Sequence, residues 1–178
     1  MPIGEGGIFQ PSAAKWNILG TNDASFNDGT GIFGLKKDLL TTDSNPYKFR
    51  AYRNAAQNVG PGFTKITPDT ENFDTNNNFA TGTYTAPVNG FYLFSGNFSC
   101  TTSGSELVVS SIYVNGVEAS RGNAVTLTSV AAGSFVTTLL QLSATNTVEF
   151  YGFCSGARAM GVGNTAYTWF SGHLVSRT

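Results

Sequence analysis

Thr81-Gly82-Thr83-Tyr84-Thr85-Ala86-Pro87-Val88-Asn89-Gly90-Phe91-Tyr92-Leu93-Phe94-Ser95 is the stretch on which the reading of the chain turns. Gly82–Ala86 reads as a short strand. Pro87 ends it, because proline offers no N–H to a sheet ladder, and Val88-Asn89-Gly90 turns the corner into the next strand. That next strand opens with Phe91-Tyr92-Leu93-Phe94, apolar at every position. Successive side chains of a strand point to opposite faces, so both faces of this one call for burial. A sandwich sheet normally buries one face and shows water a polar one. The second face therefore needs a cover, and another copy of the same chain supplies one.

Working outward, short strand-like runs separated by turns fill residues 46–178. They are Tyr47–Asn54, Phe63–Ile66, Gly82–Ala86, Phe91–Cys100, Leu107–Val114, Ala124–Val130, Ser134–Leu142, Thr147–Phe153 and Tyr167–Val175. Asn115-Gly116 between Val114 and Val117 is a two-residue hairpin signal, since both turn positions need positive φ. Ser134–Leu142 repeats the doubly apolar pattern, with Phe135 and Leu139 on one parity and Val136, Leu140 and Leu142 on the other. Tyr167-Thr168-Trp169-Phe170 opens the last strand in the same style. No helix is expected beyond a turn or two at Leu35–Leu40. The reading is all-β: a two-sheet antiparallel jelly-roll sandwich, preceded by an irregular N-terminal segment.

That segment, residues 1–45, is rich in Gly, Asn, Asp and Ser, with scattered apolar anchors such as Phe9, Trp16, Ile18, Phe33 and Leu35. The anchors are too sparse for a core and too apolar for a free linker, so residues 1–45 read as an attachment or docking segment. The opening residues lack the basic and apolar regions of a secretory signal.

Charged residues make up 12% of the 178, half of what an average soluble domain carries, so small polar residues or a neighbouring subunit must cover the surface. A formal net charge of −1 gives no basic footprint, which argues against nucleic acid as a partner. No apolar run is long enough for membrane insertion.

Six motifs, in order, resemble the C1q/TNF superfamily and its C1q branch most closely. They are Phe49-Arg50-Ala51; Phe73-Asp74-Thr75-Asn76-Asn77-Asn78-Phe79; Gly82-Thr83-Tyr84 through Phe94; Val114-Asn115-Gly116; Leu140-Gln141-Leu142; and Phe170-Ser171-Gly172-His173-Leu174. Tyr84 stands where the family has Phe, and Ser143-Ala144-Thr145-Asn146 replaces its usual Gly-Asp turn. No collagen-like Gly-X-Y repeat occupies residues 1–45. The resemblance implies a homotrimer, with Tyr92, Phe94 and Phe98 in the sandwich core. It implies an interface made of Phe91, Leu93, Ser95 and Asn97 on one strand and Phe135, Thr137, Leu139 and Gln141 on another. Phe170 and Leu174 are assigned to that interface from the last strand.

Signs of chemistry are few. The single His173 has no motif around it that would make it a general base, and a structural or interface role is expected. No P-loop and no Gly-x-Ser-x-Gly occurs, so the protein is read as not an enzyme. No cofactor is called for. Asp69, Glu71 and Asp74 are the densest acidic cluster and the candidate Ca²⁺ ligands, without a recognisable calcium loop. Cys100 and Cys154 are either a disulfide pair or two buried small hydrophobes. Asn97-Phe98-Ser99 is a formal glycosylation sequon inside a strand and is expected to be unused. Ligand contacts are expected from the loops Thr101–Glu106, Ser120–Asn123 and Ser155–Asn164, through Arg121, Arg158 and Met160.

The expectation is a non-enzymatic, trimeric structural or adhesive head on a phage tail fibre or bacterial surface appendage. It would act outside the cell, binding a surface receptor or glycan, with residues 1–45 joining other appendage or virion subunits. Two alternatives stand beside it: a fibre subunit polymerised through the N-terminal segment, and a secreted C1q/TNF-like receptor ligand.

Overall fold

Asn115 and Gly116 take φ of 50° and 79°, the left-handed pair that a two-residue hairpin demands. Around that hairpin the computed structural model describes residues 45–100, 104–127, 132–159 and 166–178, together with three strand backbones near the N-terminus. The chain divides into two compact units, Met1–Ser44 and Asn45–Thr178.

In the first unit β1 (Lys15–Ile18), β2 (Ala24–Asn27) and β3 (Ile32–Leu35) form an antiparallel three-stranded sheet. Its register aligns Trp16 with Phe26 and Phe26 with Phe33. The segment expected to be irregular thus contains strands. Its apolar anchors sit two residues apart within four-residue runs, too short for alternation to show in the sequence. The turn residues at Leu35–Leu40 lie outside the described residues after Leu35.

The second unit starts with β4 (Lys48–Tyr52), β5 (Asn58–Val59), β6 (Gly62–Lys65), β7 (Thr70–Asp74), β8 (Phe79–Ala80) and β9 (Thr83–Thr85). The longer strands follow: β10 (Gly90–Cys100), β11 (Glu106–Val114), β12 (Val117–Leu127), β13 (Ala132–Leu142) and β14 (Thr147–Cys154). The two-residue β15 (Arg158–Ala159) pairs β5, and β16 (Trp169–Arg177) ends the chain. One sheet runs β13-β10-β16-β4-β7, and the other runs β12-β11-β14-β9-β8 with β6 also paired to β14. Every pairing in both sheets is antiparallel.

The inward parity of each sheet builds an aromatic core. Phe49 stacks on Phe79 and Tyr84 with centroids 4.6 and 4.9 Å apart. Phe94 lies 5.9 Å from Phe170, which in turn stacks on Phe150 at 5.5 Å. Full burial of side chains of this size contributes roughly 1.5–3 kcal/mol each. As the family resemblance implied, Tyr92, Phe94 and Phe98 are completely buried.

Tyr84 is the exception to good order in that core. Its hydroxyl is the one buried side-chain polar atom without a hydrogen-bond partner among the described residues. Burial, then the neighbouring Tyr92, Asp74 and Tyr47, push its ionisation well above the ordinary tyrosine value. An unsatisfied buried hydroxyl costs about 1–3 kcal/mol, while a ring of the same shape without it loses nothing. Tyr84→Phe is therefore expected to raise the thermal midpoint by about 3 °C or more. A lower midpoint in a scanning-calorimetry comparison would mean that the hydroxyl is satisfied after all.

Candidate functional site

The antiparallel registers assemble the outward parity of the first sheet into rows. One row runs Phe135–Asn97–Trp169–Tyr52. The next runs Thr137–Ser95–Ser171–Arg50–Phe73, and a third runs Leu139–Leu93–His173–Lys48. Phe91 pairs Gln141 beyond them. The eight residues expected on this face from β10 and β13 therefore all share it. Four of its apolar side chains are largely open to water: Phe73 and Phe135 at 44%, Val175 at 55% and Leu139 at 56%. The second sheet's outer face shows only Leu107, at 39%, among the exposed large apolar residues described; Val117, at 69%, pairs Val114 at the hairpin end.

The last strand was assigned the wrong parity. Phe170 is 0% and Leu174 7% exposed, and both belong to the core. Trp169, Ser171, His173 and Val175 face outward in their place. The cause lies at Gly172, which is also on the core side: a Cβ there would stand 2.4 Å from Phe94 Cδ1 and 3.0 Å from Phe49 Cε1. The Phe94 ring rests on bare backbone at that point, which fixes Phe170 and Leu174 inward on either side. The glycine beneath two phenylalanines is the signal that sequence reading missed.

Polar groups on this face are mostly engaged with one another. Ser95 and Thr137 hydroxyls lie 3.0 Å apart, and Asn97 Nδ2 donates to the Tyr167 carbonyl. The Arg50 guanidinium sits 5.0 Å from the Trp169 ring centre while donating to Asn72 Oδ1 at 2.6 Å. Trp169 and Phe135 rings lie 6.1 Å apart. A shallow hollow of about 210 Å³ between Lys48, Arg50, Phe73 and His173 interrupts the face. The result is an apolar surface with internally satisfied polar groups, suited to burial against protein. His173 lies on this face across the strands from Leu93 and Lys48.

Of the candidate ligand residues, Arg121 alone has a described side chain. Arg121 lies within β12, not in a loop, so the Ser120–Asn123 loop is replaced by strand. Its guanidinium makes two hydrogen bonds to Glu118, at 2.7 and 2.6 Å, and covers the Phe63 ring at 5.1 Å. Arg158 has a described backbone in β15 but no described side chain, and Met160 lies outside the described residues. The polar run Ser120–Asn123 reads as a loop because an edge strand needs little apolar material; hairpin register with β11 carries it on as strand.

Nor are Asp69, Glu71 and Asp74 brought together as a calcium site. Asp69 accepts the backbone N–H of Asn54 at 2.7 Å and of Ala55 at 2.9 Å, with Arg53 at 3.4 Å. Asp74 accepts the N–H of Phe79 at 2.8 Å, tying its own loop. Among the described residues no group of three or more His, Cys, Asp or Glu is placed to hold a metal.

Asp69 instead supports the fold, and together with Glu149 it does so in a pH-dependent way. Burial pushes the Asp69 carboxyl up, but the Asn54 and Ala55 amides and Arg53 outweigh it, and the net direction is down. Burial likewise raises Glu149, and Lys65 at 2.6 Å, Thr83 and Tyr151 more than reverse it. A carboxyl whose folded pKa lies below its unfolded value contributes stability that is complete above about pH 4–5 and is lost as pH falls through the folded value. Denaturation midpoints measured from pH 6 down to pH 3 are expected to fall steeply for the native chain and less for an Asp69→Asn, Glu149→Gln double variant. Equal slopes would contradict the assignment.

Cys100 and Cys154 stand as thiols, both fully buried, with Sγ atoms 3.9 Å apart. The structure holds them close but without the disulfide.

Comparison with known proteins bears on the whole of the second unit. The sequence model of the C1q domain matches residues 49–175. Among solved structures, the globular domain of zebrafish complement 1qA superimposes with a TM-score of 0.60 at 21% identity, covering 74% of this chain and 99% of that one. Eiger TNF from S. frugiperda gives 0.57 at 10% identity, with 74% and 94% covered. Murine APRIL at pH 5.0 gives 0.55 at 10% identity, with 72% and 98% covered. At these identities the likeness is one of fold. No curated protein matches the chain.

Proposed function

The chain belongs to the C1q domain family, and from that premise we propose that it is the trimeric structural or adhesive head of a phage or bacterial surface appendage. C1q/TNF domains generally form homotrimers that bind receptors, are typically extracellular and are generally not enzymes. The observation that carries the trimer to this chain is the outer face of the first sheet, where Leu93, Leu139, Phe135 and Trp169 stand in register around satisfied polar groups. No helix among the described residues is long and apolar enough to cross a membrane.

Attachment to an appendage is supported by residues 1–44. They carry their own short antiparallel sheet where a collagen-like repeat would supply a stalk in the complement type. On this reading the head associates through the first sheet, engages a surface receptor or glycan elsewhere, and is mounted through residues 1–44.

Deleting residues 1–35 tests the mounting. The truncated head is expected to keep the trimer mass in mass photometry while failing to co-sediment with purified appendages or particles to which the full chain binds. A truncated chain that co-sediments as well as the full one overturns the attachment role and favours a freely diffusing receptor ligand.

A further inference from the structure

We propose that Cys100 and Cys154 are a cross-linking site, closed by a peroxide-class oxidant into a disulfide that staples the two sheets of the sandwich at one end. Cys100 is the last residue of β10 in one sheet, and Cys154 is the last residue of β14 in the other. Their sulfurs are already 3.9 Å apart, so bonding at about 2.05 Å asks for side-chain rotation and no rearrangement of strands.

The surroundings of Cys154 suit the first step. Its Sγ–H donates to Glu106 Oε2 at 3.2 Å, and the backbone N–H of Gly156 donates to the sulfur. Glu106 is itself buried, at 8% exposure. Gly156 makes room for that carboxylate, since a Cβ there would fall 2.6 Å from Glu106 Oε1. A proton acceptor on one side of the sulfur and a donor to its developing charge on the other is more than packing requires of a buried cysteine.

The chemistry balances with hydrogen peroxide as oxidant. Glu106 takes the thiol proton, and the Cys154 thiolate attacks one peroxide oxygen; the O–O bond breaks and the sulfur becomes a sulfenic acid. The departing hydroxide recovers the proton as water. Cys100 sulfur then attacks Cys154 sulfur, the S–OH bond breaks, and the hydroxide leaves as a second water with the Cys100 proton. Two thiols are oxidised, one peroxide is reduced, and two waters form. The oxidant must be small because neither sulfur reaches solvent. Burial, and with it the charge and hydrogen bond of Glu106, push the Cys154 thiol up against the opposing Gly156 N–H, so the thiolate is scarce and forms only as Glu106 accepts the proton; closure is slow at neutral pH and faster as pH rises.

The staple has a functional setting. Cys100 and Cys154 immediately precede the stretches 101–106 and 155–164 singled out by sequence as ligand loops. Closure joins the roots of both stretches, stiffening that end once the protein meets an oxidising exterior.

Full-length protein treated with a modest excess of hydrogen peroxide tests this directly. Its intact mass is expected to fall by about 2 Da with loss of both titratable thiols, through a Cys100–Cys154 link within one chain. The thermal midpoint is expected to rise by about 10 °C and to return on treatment with dithiothreitol. Glu106→Gln is expected to reach the same product about tenfold more slowly near pH 7, and its deficit is expected to shrink as pH rises. Cys100→Ser is expected to gain about 16 Da at Cys154 in place of the 2 Da loss. If either variant fails to fold, the native chain decides alone. Two thiols still titratable after oxidation, oxygen addition without a cross-link, or links only between chains would each overturn the proposal.

Discussion

Phe94→Ala is expected to cost the second unit about 3–5 kcal/mol, most of the stability that a domain of this size holds. Phe94 is fully buried and contacts four other rings: Tyr84 at 5.5 Å, Phe170 at 5.9 Å, Tyr92 at 6.2 Å and Phe49 at 6.5 Å. It also lies against the backbone of Gly172. Removing it opens a cavity between the two sheets that strand backbones, held by ladders on both sides of β10, cannot close. The complementary error is Gly172→Val, which drives a side chain into the same ring from the neighbouring strand β16 of the same sheet. Overpacking of this kind typically costs about 1–3 kcal/mol and more where the neighbour cannot move. The two substitutions act on one contact, so their costs are expected to be non-additive in a double-mutant cycle. Urea unfolding followed by near-ultraviolet circular dichroism measures both. A loss below about 1 kcal/mol for Phe94→Ala would contradict the account of the core.

Leu93→Asp with Leu139→Asp is expected to do the opposite: abolish association and leave the protomer folded. The two leucines are register partners on the outer face, and Leu139 is 56% exposed in a single protomer. Each buried leucine contributes roughly 1.5–3 kcal/mol, and a trimer loses three copies of each while gaining buried carboxylates. Dissociation is expected to rise more than a thousandfold, with far-ultraviolet circular dichroism unchanged. Leu107→Asp is the control. Leu107 is 39% exposed on the second sheet, and the same change there is expected to leave the assembly mass unaltered. If Leu107→Asp dissociates the protein and the first pair does not, the interface lies on the other sheet.

The parts of this fold that the sequence made legible are those where physics leaves one solution. Gly90–Cys100 alternates with large residues on both parities, and its partner 132–142 does the same, so the two-sided demand for burial was readable from either strand. Asn115-Gly116 fixed its hairpin because few residue pairs tolerate two positive φ values. Edge strands were harder. Thr70–Asp74 pairs only β4 and is mostly exposed, so nothing in Thr-Glu-Asn-Phe-Asp sets it apart from a loop. Val117–Leu127 was cut short for the same reason, and Arg121 was assigned to a loop with it. The last strand failed differently. Trp169, Phe170, Leu174 and Val175 are apolar on both parities, and the choice between them rested on Phe94 reaching Gly172 across the sheet, a contact between residues far apart in sequence. The acidic cluster misled because nearness in sequence does not converge carboxylates: Asp69 and Asp74 each turn to backbone amides of their own neighbourhood.

Sedimentation equilibrium of the full chain at micromolar concentration tests the central claim most directly. The proposed trimer, closed through the apolar outer face of the first sheet, predicts a single species at three times 18.8 kDa, stable to dilution. A species at 18.8 kDa throughout the same range would contradict it.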